Sequence, residues 1–428
     1  PDRLDLPTAI SFALENNFSI RQARERIRAQ EGVVTTVTAA ALPSVSAAGS
    51  YQRSDMQSIV SGSSGVPLFV PAGPSWRMTL TATQALFAGG GIRASIRSAD
   101  LAREAAILDL QATINDTLLE VRRRFYNVLL AREQVKVQEQ NLGLLQNQLH
   151  YATVKAQVGV ATDFERLRAE VAVANAQVPL IRARNDLRLA VEEVRRVLGF
   201  ADREPDTLRK VPEFHGSLEI RPETFDLVAA FSAAQENRPE IKRLGKLIAA
   251  GEEGVIIARS RYYPTLAVSG GGELRKGATS SFGDSIKGLR AGVQSQLQVS
   301  RATSGAVAQA VSQAEQLKLT ASETKLAIEV EVRRAFSALQ QATELASAMQ
   351  KTVGQAEEAV RLATGRFEAG TATQLDVLQT QVELTNARTS QLRANHDYNV
   401  ALAQLRKATG ASEVEYTAAT VSTKSPVP

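Results

Sequence analysis

The residues most able to perform chemistry are scattered along this sequence. The three histidines, His150, His215 and His396, lie far apart and have no spacing typical of metal ligands. The chain has no cysteine, which excludes disulfides, thiolate nucleophiles and cysteine-based zinc sites. The paired acids Glu252-Glu253 and Glu357-Glu358 fit solvated helix faces. We therefore expect no catalytic residues, no metal site and no cofactor.

Two glycine runs need a separate explanation. The run Gly89-Gly90-Gly91-Ile92-Arg93-Ala94 superficially resembles a dinucleotide-binding fingerprint, which requires a short βαβ unit with an acid at the end of the next strand. Here the predicted helix simply continues for many turns, so we interpret these glycines as a joint between a strand and a helix. Gly270-Gly271-Gly272 lies within a predicted strand, where it indicates a bend or a close backbone approach.

The composition narrows the class of protein. Apolar residues make up 44% of the 428 residues but aromatic residues only 5%, and many small side chains suit close helix–helix contact. The 50 basic and 45 acidic residues are interspersed, without the basic stripe of a nucleic-acid binder. No stretch reaches the roughly 18 apolar residues of a membrane-spanning helix. Residues 1–3 lack the apolar core of a signal peptide, so we expect the numbering of an exported protein to begin after the processed segment.

The chain consists of two homologous halves. Glu15-Asn16-Asn17 recurs as Glu236-Asn237-Arg238, a shift of 221 positions. Further along, Glu120–Phe125 recurs as Glu331–Phe336, a shift of 211 positions. The shift changes between two stretches rich in Ser, Gly and Pro, so one half has a shorter loop there.

Each half has the same predicted order of elements. It begins with a helix that ends just before a proline. Leu142, Leu145 and Leu149 step by three and four positions, which is typical of a coiled-coil seam. At 1.5 Å per residue the first long helix would extend about 100 Å, so we expect an elongated molecule. The predicted helices are 7–41, 88–156 and 162–198 in the first half, and 223–262, 300–367 and 373–409 in the second.

Four segments have the alternating pattern of strands. Met78 and Leu80, for example, alternate with Thr79 and Thr81. Such alternation places one strand face in an apolar medium and the other against water. It fits either a half-buried strand of a soluble sheet or a transmembrane barrel strand of about 9–11 residues. The four segments are 44–54, 76–87, 265–275 and 289–300.

The number of strands restricts the interpretation. Four strands cannot close a membrane barrel, which starts at about eight. An open sheet in lipid would leave backbone groups without partners. The strands therefore belong to a soluble sheet or are completed by other copies of the chain. Two copies would give about eight strands, a barrel filled by its own side chains, whereas three copies would give a lumen.

Several recurring signatures carry a family resemblance. From Leu6 to about Gly410 the sequence resembles the TolC-type outer-membrane efflux family. No single signature is decisive, whereas their order, spacing and duplication are specific together. The signatures are Asn16-Asn17-Phe18-Ser19-Ile20, Ala41-Leu42-Pro43-Ser44-Val45-Ser46 with its echo Tyr263-Pro264-Thr265-Leu266, Leu86–Gly91, and Arg366–Leu378.

The resemblance implies a mainly α chain with a membrane β-barrel portion. Long coiled-coil helices would form a trimeric α-barrel in the periplasm, and four strands per chain would contribute to a 12-stranded β-barrel in the outer membrane. The chain would comprise a first repeat at 1–199, an equatorial linker at 200–222, a second repeat at 223–410, and an equatorial, partly disordered tail at 411–428.

The resemblance also implies a function. The protein would be the outer-membrane channel of a tripartite efflux or secretion system and would give substrates passive exit from the periplasm. Its partners would be two further copies of the chain, outer-membrane lipid, a periplasmic adaptor (membrane fusion protein) and an inner-membrane pump, but no nucleic acid. The alternatives are a non-channel coiled-coil surface scaffold and an enzyme built on a helical bundle, for which we find no convergent catalytic groups.

Finally, the resemblance implies sites at the helix turns. Asp376 resembles the family's carboxylate ring and would line the pore constriction with Gln379, a position where relatives often carry a second acid, so the charge filter would be weaker. Phe367 and Ala372 replace a Tyr and an Arg that tie neighbouring coils in some relatives. Ordinary helix capping also accounts for the turn residues. The turns expected to contact the adaptor contain Gly159, Val160, Ala161, Thr162, Gly370, Thr371, Ala372 and Thr373.

Overall fold

The computed structural model describes residues 3–54, 58–61, 67–70, 73–159, 162–200, 213–220, 223, 225–276, 286–297 and 300–410. They divide into two compact units, one containing Pro1–Glu25, Leu108–Ile241 and Glu323–Pro428, the other Arg26–Ile107 and Lys242–Ser322. Each unit therefore takes segments from both sequence repeats.

Helices account for most of the described chain. The helices are α1 (Leu6–Asn16), α2 (Phe18–Ala39), α3 (Gly91–Gln157), α4 (Asp163–Leu198), α5 (Leu227–Asn237), α6 (Pro239–Ser260), α7 (Arg301–Glu368) and α8 (Gln374–Ala408). The strands are β1 (Arg3–Leu4), β2 (Ser44–Ser54), β3 (Ser58–Ser61), β4 (Pro67–Val70), β5 (Gly73–Ala88), β6 (Glu213–Phe214), β7 (Thr265–Lys276) and β8 (Ile286–Gln296).

The four long helices contain 67, 36, 68 and 35 residues and lie where the heptad pattern predicts them. Within the first unit, α3 and α4 share a seam that contains Leu145 and Val173. The equivalent seam between α7 and α8 contains Val353 and Leu384. Seams of small and branched apolar side chains allow the paired helices to approach closely.

The first helix of each half is broken in two, which corrects the predicted single helices 7–41 and 223–262. Asn17 interrupts the first: its Oδ1 accepts from the backbone N–H of Ser19 at 2.8 Å and so caps α2. In the second half, Arg238 is extended because Pro239 follows it. Hydrophobic periodicity continues across both breaks, so it does not indicate them.

Two different side chains make the same anchor at these breaks. Asn17 Nδ2 donates to the carbonyl of Val197 at 2.6 Å. At the equivalent position in the second half, a guanidinium N–H of Arg238 donates to the carbonyl of Ala408 at 3.4 Å. In both halves the end of a long helix is thereby fixed to the broken first helix.

Arg238 also lies in an ion cluster. Its side chain is 4% exposed and contacts Glu240 at 2.9 Å and Glu331 at 2.6 Å. Burial disfavours the charged guanidinium, but hydrogen bonds and charge from the two glutamates outweigh it and raise the pKa of Arg238. Ion pairs therefore stabilise the helix break in the second half, whereas neutral hydrogen bonds of Asn17 stabilise the equivalent break in the first half.

The second unit contains the antiparallel sheet β2-β5-β7-β8. Strand β8 runs from Ile286 to Gln296, so it begins three residues and ends four residues before the predicted segment 289–300. Between β2 and β5 the chain forms the hairpin β3–β4. Gly89 and Gly90 form the joint between β5 and α3, as predicted, with φ of 57° and 81°. A Cβ at Gly271 would overlap the carbonyl of Leu80, so the predicted close backbone approach is confirmed.

We expect Gly199→Ala to destabilise the protein more than Gly370→Ala. Both glycines have positive φ, of 77° and 74°. A Cβ at Gly199 would overlap the carbonyl oxygen of Asn16, whereas among the described residues nothing lies within 4 Å of a Cβ at Gly370. The free energy of unfolding should fall by about 1 kcal/mol in Gly370→Ala and by at least about 2 kcal/mol in Gly199→Ala. Thermal unfolding followed by circular dichroism checks this order; equal losses would contradict the overlap.

Candidate functional site

Two turns of the first unit connect α3 to α4 and α7 to α8. Gly159 and Gly370 follow the helix ends with φ of 76° and 74°, the left-handed conformation that commonly ends helices. The N–H of Thr371 donates to the carbonyl of Arg366 at 2.8 Å and closes the end of α7. Of the other predicted turn residues, Ala372 is half-buried. Val160 and Ala161 lie outside the described residues.

The helices after both turns begin with the same capping box. Thr162 N–H donates to Glu165 Oε2 at 2.9 Å, and Glu165 N–H donates back to Thr162 Oγ1 at 3.3 Å. Thr373 and Asp376 repeat the arrangement, with distances of 2.8 Å and 3.3 Å. Each box satisfies two backbone N–H groups that would otherwise lack a partner at a helix start. The duplication thus places an acid three residues after the capping threonine in both turns.

The hydrogen bonds of the second capping box also affect the protonation of the Asp376 carboxylate. Hydrogen bonds from the backbone N–H and the hydroxyl of Thr373, together with the nearby charge of Arg366, lower the pKa of Asp376 below its ordinary 3.8. A lowered folded-state pKa means that the cap is complete at neutral pH and is lost only as the pH falls through that lower value. Asp376 is therefore ionised at physiological pH.

Asp376 and Gln379 lie together on the exposed side of α8. Leu378, between them in sequence, packs against the seam that contains Leu145 and Val173. Both predicted constriction residues therefore point away from the packed seam of their own chain.

Three contacts near the turns were not predicted from the sequence. The ammonium of Lys155 in α3 lies 5.2 Å from the ring centroid of Phe367 in α7. Gln148 donates to Gln381 at 2.7 Å, and Thr385 donates to Asn141 at 3.1 Å. These contacts join α3 of the first repeat to α7 and α8 of the second.

The sequence contained a signal for one of these contacts. Val377, Gln381 and Leu384 step by four and three positions, so a glutamine occupies a position in an apolar seam. A buried amide requires a polar partner, which Gln148 supplies. The Lys155–Phe367 contact has no such signal, because a lysine placed over an aromatic ring has no characteristic spacing in the sequence.

The sheet of the second unit has two chemically different faces. Cross-strand partners such as Met78 and Leu274, or Gly272 and Leu289, place the apolar residues on one face. This face is exposed, and Leu289 is 93% accessible. An exposed apolar face of this kind marks contact with lipid or another apolar surface. Its large members are Val45, Tyr51, Met78, Leu80, Val268, Leu274, Leu289 and Val293.

The opposite face is polar. It carries hydroxyl and amide side chains on β5, β7 and β8, in register with one another. Strands with apolar residues on one face and polar residues on the other are typical of membrane barrels with a water-filled interior. The members with hydroxyl or amide side chains on these three strands are Ser75, Thr79, Thr81, Thr83, Thr265, Ser269, Gln294 and Gln296.

Within the part of the chain that the structure describes, no helix combines the length and the apolar character needed to cross a membrane. Nor do three or more His, Asp or Glu side chains in that part converge as metal ligands would.

The chain belongs to the outer membrane efflux protein family. The family model, described as "Outer membrane efflux protein", matches residues 9–200 and 230–411. The two matches correspond to the two halves that the internal repeats indicate. The protein is therefore located in the outer membrane, and the family resemblance predicted from the sequence is confirmed.

Three similar proteins share 25–28% of their aligned residues with this chain. The chain is 25% identical over 386 residues to the cobalt-zinc-cadmium resistance protein CzcC of Cupriavidus metallidurans, covering 90% of this chain and 85% of CzcC. Identity to the outer membrane protein OprJ of Pseudomonas aeruginosa is 26%, and to the protein CyaE of Bordetella pertussis 28%. Those alignments cover 45% and 49% of this chain, but only 39% of OprJ and 44% of CyaE.

Solved structures establish the fold. The CmeC outer membrane channel of Campylobacter jejuni superposes with a TM-score of 0.82 at 17% identity, covering 95% of this chain and 85% of CmeC. The open state of the MtrE outer membrane channel of Neisseria gonorrhoeae gives 0.72 at 20% identity, covering 95% and 88%. The predicted fold class is confirmed for the single chain, which is mainly helical and duplicated, with four long helices and a four-stranded antiparallel sheet.

Asp376→Asn and Asp376→Ala separate capping from charge at the second turn. Asparagine keeps a side-chain oxygen that can accept from Thr373, whereas alanine does not. We expect amide exchange in the first turn of α8 to stay slow in Asp376→Asn and to become several-fold faster in Asp376→Ala, as measured by hydrogen–deuterium exchange. Glu165→Ala is the matched control and should affect only the start of α4. Unchanged exchange in Asp376→Ala would contradict the capping role.

Proposed function

We propose that this chain is one protomer of a trimeric outer-membrane channel through which substrates leave the periplasm. An inner-membrane pump supplies the energy and a periplasmic adaptor connects it to the channel, while this chain provides a passage and no catalytic site. One observation carries the proposal: a member of the outer membrane efflux protein family combines an exposed amphipathic sheet with four long helices that end in two matching turns.

The edges of the sheet support a trimer. Strands β2 and β8 are the outer strands of the four-stranded sheet. In lipid their free edges need hydrogen-bonding partners, because no water reaches them there. Three copies joined edge to edge give a closed barrel of about twelve strands that is wide enough for a lumen.

The exposed side of α8 supports a constriction at Asp376 and Gln379. Around a threefold axis, three ionised carboxylates would form a ring that favours cations and disfavours anions. The hydrogen bonds from Thr373 keep each carboxylate ionised. Gln379 adds amides without further charge, so the ring has one acid per chain.

The two turns support an adaptor contact. Gly159, Thr162, Gly370 and Thr373 have the same backbone conformations and caps in both repeats. The proposed contact extends to Val160, Ala161, Thr371 and Ala372. Because the two turns match, three chains would present six similar surfaces to helical hairpins of the adaptor.

The contacts between α3 and the second repeat support a mechanism that keeps one end of the channel closed. This end, called the tip, is the one at the turns that connect α3 to α4 and α7 to α8. Relatives that tie neighbouring coils here use a Tyr and an Arg, at the positions of Phe367 and Ala372. In this chain Lys155 over Phe367, with the Gln148–Gln381 hydrogen bond, would serve instead. A cation–π contact at an exposed site contributes about 0.5–1 kcal/mol, which allows reversible opening.

The protein purified in mild detergent should have three times the mass of one chain by light scattering and should precipitate without detergent. The reason is that its apolar sheet face and free strand edges require an apolar environment and neighbouring copies. A monodisperse monomer that needs no detergent would instead favour the coiled-coil scaffold.

In planar lipid bilayers the wild-type channel should prefer K⁺ to Cl⁻, and Asp376→Asn should lower that preference. The substitution removes the charge and keeps the cap. Glu165→Gln is the control, because it removes an equivalent carboxylate from the other turn, which we do not place at the constriction. An effect of equal size from both substitutions would contradict the proposed position of Asp376.

Replacing Phe367 by Leu should raise the single-channel conductance. Leucine keeps an apolar side chain but removes the aromatic ring over which Lys155 lies. Lys136→Met is a control on α3, the helix that carries Lys155, because Lys136 pairs with Glu133 and not with Phe367. Identical conductance in Phe367→Leu and the wild type would show that this contact does not hold the tip.

A further inference from the structure

The polar face of the sheet carries a charge cluster that the proposed channel function does not use. Its members among the described residues are Arg77 on β5, Glu273 and Arg275 on β7, and Arg290 on β8. Arg77 lies directly opposite Arg275, and Arg290 lies opposite Gly271, so all four charged residues share this face.

One carboxylate serves two of the guanidinium groups. Glu273 Oε1 lies 3.2 Å from Arg77 Nε, and Glu273 Oε2 lies 2.9 Å from a terminal nitrogen of Arg290. Glu273 also offsets the repulsion between Arg77 and Arg275, since directly opposed like charges destabilise a sheet. Among the described residues of this face, three positive charges and one negative charge leave a net charge of +2 per chain.

The arginines remain open to water although the glutamate does not. The side chain of Glu273 is 11% exposed, whereas those of Arg77 and Arg290 are 58% and 77% exposed. If the arginines served only to neutralise Glu273, a single guanidinium would be enough. The second guanidinium and Arg275 leave uncompensated positive charge at an accessible surface.

Glycines clear the space around Arg290. Gly288 and Gly292 are its neighbours on the same face of β8, and Gly271 lies opposite it on β7. A shallow cavity of about 260 Å³ at this place is also lined by Thr81, Ser269 and Glu273. Guanidinium and hydroxyl donors beside an open cavity suit a partly hydrated anion.

We propose that Arg77, Arg275, Arg290 and Glu273 form an anion-attracting belt in the barrel part of the lumen. The proposal rests on the proposed trimeric channel, in which the polar face lines the lumen. Three copies would give the belt a charge of +6, from +2 per chain. Its ligands are small inorganic anions and the anionic groups of passing substrates, which a ring of positive charge concentrates. The belt is opposite in sign to the carboxylate ring of Asp376.

The test is the reversal potential in a KCl gradient across planar lipid bilayers. Measurements in the Asp376→Asn background keep the carboxylate ring from dominating the result. We expect Arg290→Gln, and more strongly the pair Arg77→Gln with Arg290→Gln, to lower the Cl⁻ to K⁺ permeability ratio about twofold or more. Glu273→Gln should shift the ratio in the opposite direction, because it removes the only negative charge of the cluster.

Lys287→Gln is the matched control. Lys287 lies on β8 opposite Leu274, on the apolar face, so its removal changes the chain charge by the same amount without changing the lumen. The Cl⁻ to K⁺ permeability ratio of Lys287→Gln should equal that of the Asp376→Asn background. Channels with equal ratios in all variants, or with the same shift in Lys287→Gln as in Arg290→Gln, would overturn the belt alone. Absence of any conductance in the wild type would overturn the channel and the belt together.

Discussion

Backbone hydrogen bonding at the edges of a four-stranded sheet is the constraint on which the proposed assembly depends. Strands β2 and β8 end the sheet, and its apolar face is exposed along its length. Water would satisfy these edges in a soluble protein, but the apolar face is unsuited to water. Lipid suits the face but leaves the edges without partners. In the proposed assembly, pairing between copies satisfies both requirements and turns the polar face toward an enclosed space.

The two halves share their backbone path more closely than they share their side chains. Asn17 and Arg238 occupy equivalent positions and donate to the equivalent carbonyls of Val197 and Ala408. One does so as a neutral amide and the other as a buried cation within an ion cluster. What the two halves share is the backbone path, which any suitable donor can stabilise. The second half can therefore diverge in charge while the fold is kept.

A similar combination of roles occurs at the turn before α8. Asp376 caps its own helix, and the same hydrogen bonds lower its pKa and keep it charged. In our proposal Asp376 therefore caps the helix and also supplies the charge of the constriction, whereas Glu165 only caps its helix. At the sheet, Glu273 combines bridging and neutralisation in a comparable way. In the proposed channel, both carboxylates combine a structural role with an effect on the electrostatics of the passage.

The sequence by itself determined the duplication, the long helices, the four strands and the alternation of their faces. These follow from periodicity and from glycine or proline at the ends of elements, which are local properties. Only the tertiary structure decided the anchor from Asn17 to Val197, the Lys155–Phe367 contact and the bridge from Glu273 to Arg77 and Arg290. Each of these depends on which residues meet from distant parts of the chain. Periodicity indicates which face of an element is apolar, but it carries no information on which side chain of another element lies opposite.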